Sequence, residues 1–215
     1  MIHQAECYHG YTMKFVIDHF KNVDPVMAMV VAKAFAGDTP ITLRQPIAPE
    51  HYFHELAESV VSQQLSTKAA ATIWRRFDEM LGGNVTPQRV LTFDVEQMRS
   101  VGLSRPKAGY LHAMAEAIVS GEVRLDHLGD MENDDVIAEL TKLKGIGPWT
   151  AEMFLMFGLG RPDVFSYLDL GLVRAFELVY KKPGAKRADM EPIVETWAPY
   201  RTYAAMALWR HRDNG

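Results

Sequence analysis

Apolar residues return every three or four positions along most of the chain, and the two-residue alternation of strands is hardly found. Asp24-Pro25 followed by Val26, Met27, Val30, Val31 and Ala34 reads as an N-cap, a first-turn proline and an apolar stripe, so a helix begins there. Residues 50–63 form another amphipathic run. Ser66 or Thr67 can cap the next, over Ala70, Ile73, Trp74, Phe77 and Leu81, which Gly82-Gly83 ends. Short runs start at Thr86 and Asp94, and Ser104-Arg105-Pro106 opens a helix over Tyr110, Leu111, Met114 and Ile118 that stops at Gly121. After an acidic linker, 134–143 is helical, Lys144-Gly145-Ile146-Gly147 is a tight turn, and Pro148 starts a helix through Phe154 and Phe157. Asp169 begins another, and 188–197 and 200–211 supply the last two. The pattern predicts an all-α protein of about nine or ten helices, with loops at 38–49 and 181–187.

Composition narrows the class. The 215 residues are 48% hydrophobic and 23% charged, enough for one substantial core or for two small lobes. The single cysteine, Cys7, excludes an internal disulfide, a cysteine-built zinc site and an iron–sulfur cluster. No stretch approaches the ~20 apolar residues that span a bilayer, and the N-terminus lacks a basic-then-apolar signal, so a cytoplasmic protein is expected. The net charge of −4 argues on its face against nucleic acid. Residues 111–140, however, hold one Lys or Arg against eight Asp and Glu, whereas 61–110 hold seven against four and 141–215 eleven against eight. A phosphate-binding face is permitted, because binding depends on local cations more than on the sum. An ordinary solvated surface explains the same counts.

The sharpest local feature is Leu143-Lys144-Gly145-Ile146-Gly147-Pro148-Trp149-Thr150-Ala151, between two helical patterns. Two glycines around one apolar residue allow a tight turn with Ile146 plugged inward and the glycine amides uncovered. With the positive end of the helix at Pro148, those amides can receive a phosphate oxygen without base preference. Taken alone, Gly-x-Gly has a plainer reading as a C-cap followed by a first-turn proline.

The surrounding residues give the turn a family. Leu-x-Gly-Ile-Gly-x-x-Thr-Ala resembles the helix-hairpin-helix motif of the DNA glycosylase superfamily, which includes endonuclease III, the adenine glycosylases and the alkylbase glycosylases. Asp163-Val-Phe-Ser-Tyr-Leu-Asp169-Leu-Gly-Leu-Val-Arg-Ala, with Asp169 24 residues after Gly145, resembles the loop and catalytic aspartate that follow the hairpin. Val60-Val-Ser-Gln63-Gln64-Leu65-Ser66 resembles the interhelical loop these enzymes push into DNA. Trp197-Ala-Pro-Tyr-Arg-Thr-Tyr-Ala-Ala-Met-Ala-Leu-Trp209 resembles the last helix of the 3-methyladenine DNA glycosylase II branch.

The resemblance implies a compact, two-lobed helix-hairpin-helix fold with a cleft between lobes. Residues 1–49 would pack with the C-terminal helices 161–215, and 50–160 would form the middle lobe ending in the hairpin. The implied activity is monofunctional hydrolysis of the N-glycosidic bond of alkylated, 3-methyladenine-like bases in double-stranded DNA, which starts base excision repair. Bifunctional relatives carry a lysine nucleophile where this chain has Trp149, so no Schiff base is expected.

Asp169 would stabilise the oxocarbenium-like sugar and orient or deprotonate water, although an Asp opening an apolar helix is by default an N-cap. Trp149 and Trp209 would stack a flipped, cationic base, although core packing is the plainer role of each. Gln63, Gln64 and Leu65, with Gln64 as the wedge, and Gly145, Gly147 and Thr150 of the hairpin would contact DNA. The carbonyls of Thr141, Leu143 and Ile146 would hold a sodium or potassium ion; catalysis itself would need no cofactor. Lys68, Arg75, Arg105 and Lys107 lie in reach of phosphates, with solvated surface as the plainer role. Tyr167 stands where relatives have proline, and Met153 and Leu170 where some have aromatic residues. The expected partner is alkylated duplex DNA, with no membrane, and the expected state is a monomer. The alternatives are a non-catalytic DNA-binding hairpin module, a helical scaffold unrelated to DNA, and a glycosylase for oxidised, deaminated or mismatched bases.

Overall fold

The computed structural model describes residues 2–36 and 42–213, with side chains from Met13 onward. Among the described residues there are twelve α-helices and no strand: α1 (Ile2–Val23), α2 (Pro25–Phe35), α3 (Tyr52–Ser62), α4 (Thr67–Met80), α5 (Pro87–Val90), α6 (Val95–Ser100), α7 (Arg105–Val119), α8 (Asn133–Leu140), α9 (Pro148–Phe157), α10 (Leu170–Tyr180), α11 (Arg187–Val194) and α12 (Arg201–Asp213). None is long and apolar enough to cross a membrane.

Most boundaries fall where the caps predict. Asp24, Ser66, Thr86, Asp94, Ser104 and Asp169 each accept an amide from the first turn of the helix that follows. Two differences have physical causes. Helix α1 has no capping signal in its sequence, so the first of the N-terminal helices expected within residues 1–49 has no marked beginning, although Met13, Val16, Ile17 and Phe20 recur at helical spacing and Val16 and Phe20 are buried. Helix α8 ends at Leu140 rather than at 143, because the chain tightens into turn bonds there, Leu143 N donating to Leu140 O and Ile146 N to Leu143 O. Residues 42–48 of the expected 38–49 loop are irregular, and 38–41 lie outside the described residues.

The chain divides into two compact units. One comprises Gln45–Leu159, a continuous stretch. In it α7 packs on α3, α5 and α6, while α3 also packs on α4 and α9 and α8 pairs with α9. Leu56, Phe77, Leu81, Met98, Leu111, Met114 and Leu140 are fully withdrawn from water there, each worth about 1.5–3 kcal/mol of transfer free energy.

The other unit is discontinuous, Met1–Arg44 with Gly160–Gly215. Helix α2 packs on α1, α10 and α12, and α12 packs on α10. Its centre is one carboxylate. Asp24 Oδ1 accepts the amide of Met27 at 3.0 Å, which caps α2. Asp24 Oδ2 accepts Nε1 of Trp197 at 2.9 Å and the hydroxyl of Tyr180 at 2.5 Å. Trp197 is fully buried, and rings of Phe165, Phe176 and Tyr180 surround it at 5.6, 6.4 and 6.4 Å. Burial and the Asp24 carboxylate push the Tyr180 phenol far above its ordinary value, so it remains a donor.

A second anchor in this unit holds the loop between Gly160 and Asp169 against α12. Asp163 receives the Arg201 guanidinium through both oxygens, Nε at 2.7 Å and Nη2 at 2.9 Å, and also the Arg201 amide at 3.2 Å. Thr202, with no exposed surface, donates its hydroxyl to Arg161 O at 2.7 Å and accepts Val164 N at 3.0 Å, while its own amide donates to Pro162 O. Burial pushes the Asp163 carboxyl up, but the hydrogen bonds and charge of Arg201, with a smaller effect of His19, outweigh it and leave the group below its ordinary value.

Asp24→Ala removes a helix cap and orphans two buried donors, so urea unfolding should show a loss of about 3–5 kcal/mol. Asp24→Asn should be nearly as costly, because its amide cannot accept at both sites; an Asn variant within about 0.5 kcal/mol of wild type would contradict this account. Because the Asp163 carboxyl is depressed, its contribution is complete above about pH 5, where the unfolded group is also ionised, and fades as pH falls through the lower folded value. Thermal melts should therefore fall less between about pH 5 and pH 2.5 in Asp163→Asn than in the wild type.

Candidate active site and nucleic-acid interface

Asp169 is where the loop becomes α10. Its backbone is extended, and its Oδ1 accepts Leu172 N at 2.8 Å, an N-cap. The same oxygen accepts Nε1 of Trp209, on α12, at 3.1 Å. The carboxylate thus has its expected capping role and a second, tertiary role: an indole edge and a helix amide hold one oxygen, and Oδ2 carries neither bond. Trp209 is half-buried with its N–H turned to the acid. The anchored Asp163–Val164 segment fixes the approach to this cap, a connection the sequence reading missed although both partners stood in the quoted motifs.

The flanks of Asp169 are unusual. Leu168 and Leu170 are 59% and 70% exposed, large apolar side chains left in water on either side of the acid. Tyr167, two residues earlier, lies against Phe165 and under the Arg187 guanidinium, 4.8 Å from its ring centre. Its hydroxyl is buried with no hydrogen-bond partner among the described residues, and burial pushes the phenol up to about 12. The Arg212 guanidinium lies over Gly171, where a Cβ would collide with it, so the start of α10 has a cation close to its acid.

In the continuous unit the hairpin joins α8 to α9. Gly145 has φ +90°, a left-handed conformation, and the Tyr110 ring packs where its Cβ would be, so glycine is required twice over. Leu143 and Ile146 are buried and hold the turn down. Gly147 is the N-cap of α9 but has no side chain to cap with, and Pro148 follows as the first helical residue. This helix start therefore has no side-chain cap, the kind of end that can receive an anion. Thr150 is buried, whereas Trp149 beside it is 40% exposed, which places it outside the core. Thr141, Leu143 and Ile146 follow one another around this turn as hard, neutral carbonyl donors, and Leu143 O already accepts Ile146 N. No group of three His, Cys, Asp or Glu among the described residues could hold a metal.

Between α3 and α4 lie Gln63, Gln64 and Leu65. Gln64 has φ +57°, a left-handed conformation costly for a residue with a Cβ, and Leu65 is 39% exposed. Gln63 donates its side-chain amide to Gly145 O at 2.9 Å, so this loop and the hairpin turn are in contact. The neighbouring cations differ in role. Arg75 pairs with Glu79 and Arg105 with Glu96 on the surface, while Lys107 donates to Val61 O at 2.8 Å and Gln63 O at 2.5 Å. Lys107 is thereby a cap for the end of α3, a role its sequence context did not disclose.

These features carry a family comparison. The DNA-3-methyladenine glycosylase 1 of Schizosaccharomyces pombe is 36% identical over 162 residues, 74% of this chain and 71% of that protein. The S. pombe 3-methyladenine DNA glycosylase Mag1, solved in complex with abasic DNA, superposes with a TM-score of 0.74 at 32% identity, covering 91% of this chain and 95% of that one. The Bacillus halodurans DNA-3-methyladenine glycosidase gives 0.75 at 34% identity, over 87% of each chain. Residues 57–199, which hold the Gln63 loop, the hairpin and Asp169, match the HhH-GPD superfamily base excision DNA repair protein family, and the chain belongs to that family.

Proposed function

We propose that the protein is a monofunctional DNA glycosylase that hydrolyses the N-glycosidic bond of alkylated, 3-methyladenine-like bases in duplex DNA, beginning base excision repair, and that it acts as a monomer. The observation that carries this reading is the Asp169 carboxylate, held by Leu172 N and Trp209 Nε1. A carboxylate fixed by two donors needs little reorganisation when positive charge develops beside it.

N-alkylation makes a purine cationic, and it leaves as a neutral base when the C1′–N bond breaks. The hard part is the oxocarbenium-like sugar left behind. Asp169 stabilises that charge, and water adds to C1′, giving up its proton to the carboxylate or to solvent, so the product is an abasic site. With Trp149 in place of a lysine, no amine stands at that position to form a Schiff base, and the strand is expected to stay intact. The alkylated base must leave the stack to react, and Trp149 and Trp209 are the candidate indoles to receive it, since a cation–π attraction to such a ring is worth ~0.5–2 kcal/mol.

On the DNA side, the Gly145 and Gly147 amides and Thr150 seat a backbone phosphate. The Thr141, Leu143 and Ile146 carbonyls would hold a sodium or potassium ion, which would add positive charge there. Gln64, flanked by Gln63 and Leu65, fills the gap that flipping leaves.

Asp169→Asn keeps an oxygen for both donors, so the fold should persist while base release from methylated duplex falls at least about a hundredfold. Chromatography of the released bases and duplex affinity are the readouts. Wild-type release by Asp169→Asn would remove the catalytic assignment, and a wild type that binds duplex without releasing any base would make the chain a binding module.

A further inference from the structure

Helix α3 ends at Ser62, where its last carbonyls have no intrahelical donors. A glycine normally closes such an end, but the residue that turns left-handed here is Gln64. The end is closed from a distance instead. Lys107, on α7, brings its ammonium to Val61 O and Gln63 O, a cation at the negative end of the helix. Burial lowers the pKa of this lysine, as expected of an ammonium drawn out of water to serve those two carbonyls.

Gln63 continues the connection. Its amide crosses to Gly145 O, 82 residues away in sequence, and so orients the peptide that follows Gly145. The Ile146 N–H of that peptide donates back to Leu143 O, and the Gly147 amide comes next. The strained Gln64 therefore sits in a chain of contacts running from Lys107 through Gln63 to the hairpin. Strain of this kind persists where surrounding bonds over-determine it.

We propose that Lys107 and Gln63 are positioning residues that lock the Gln64 wedge to the hairpin turn, so that seating a phosphate on the turn and inserting Gln64 into the duplex are one movement. The proposal rests on the reading of residues 63–65 as the segment that enters DNA. In this role Lys107 touches no phosphate, and the side-chain amide of Gln63 serves the turn. The locked pair sets how deep the wedge reaches, and a misplacement on the order of 1 Å costs about a hundredfold in rate.

The test uses the full chain and two duplexes carrying a methylated purine, one with its normal partner base and one opposite an abasic analogue, where little has to be displaced. Gln63→Met and Lys107→Met should each lower base release about ten- to hundredfold on the paired duplex, yet less than about threefold on the other, because flipping is cheap there. The double variant should be no worse than the poorer single one, the non-additivity of one coupled device. The salt dependence of duplex binding should be the same in Lys107→Met as in wild type. A slope smaller by about one would make Lys107 a phosphate contact and overturn the proposal. Equal losses on both duplexes, or additive losses, overturn it too. Gln63→Met carries the test alone if Lys107→Met is unstable. Gln64→Ala tests the underlying reading: if it loses nothing on the paired duplex, the wedge assignment fails, whereas if it alone is impaired, only the lock fails.

Discussion

A fold made of short helices is governed by what happens at their ends. Each end leaves up to four amides or carbonyls without a partner, and a buried polar group without one costs about 1–3 kcal/mol. This chain has twelve such helices among its described residues, and at the starts of six of them it meets the demand with a side chain placed one residue ahead of the helix. Asp24 shows how far that device extends. One of its oxygens closes the start of α2, and the other gathers an indole and a phenol from the far end of the sequence, so a local cap also holds the core of the discontinuous unit.

The residues proposed to act on DNA are variations on the same device. Asp169 is a cap whose acid is also held by Trp209, which turns a structural carboxylate into a fixed charge at the mouth of a helix. Gly147 is a cap position with no side chain, and that omission leaves backbone donors for an anion. Lys107 supplies by tertiary contact what α3 lacks locally. Capping and the proposed chemistry are therefore compatible explanations of these residues: groups already aimed at a helix end are rigid, and rigidity is what an electrostatic site requires.

This logic explains what could be read in the sequence. Caps are local, so the starts of α2, α4, α5, α6, α7, α9 and α10 were visible in Asp, Ser, Thr and Pro, and the Gly145-Ile146-Gly147 turn announced itself. The hydrogen bond from Trp209 to Asp169 was not visible, because 40 residues separate the pair and either could have been an ordinary cap or core residue. Lys107 looked like surface charge, since nothing near it names a carbonyl 44 residues upstream as its acceptor. The start of helix α1 was not visible for the opposite reason: N-terminal helices were expected within residues 1–49, but no cap residue marks where this one begins, and it packs against α2. Local rules found the ends, and long-range partners decided what the ends do.

The Asp24 junction also imposes an order in time. Tyr180 and Trp197 lie 156 and 173 residues downstream of the acid that binds them, and the unit they complete encloses the whole of Gln45–Leu159 in sequence. As the chain leaves the ribosome, the continuous unit has all its residues available first, while α1 and α2 wait with an unsatisfied carboxylate for helices not yet made. Joining such distant segments carries a loop-closure cost that a folded insert shortens, since it brings its own two ends together in advance. The unit bearing Asp169 is thus assembled last, on a chain whose hairpin is already formed.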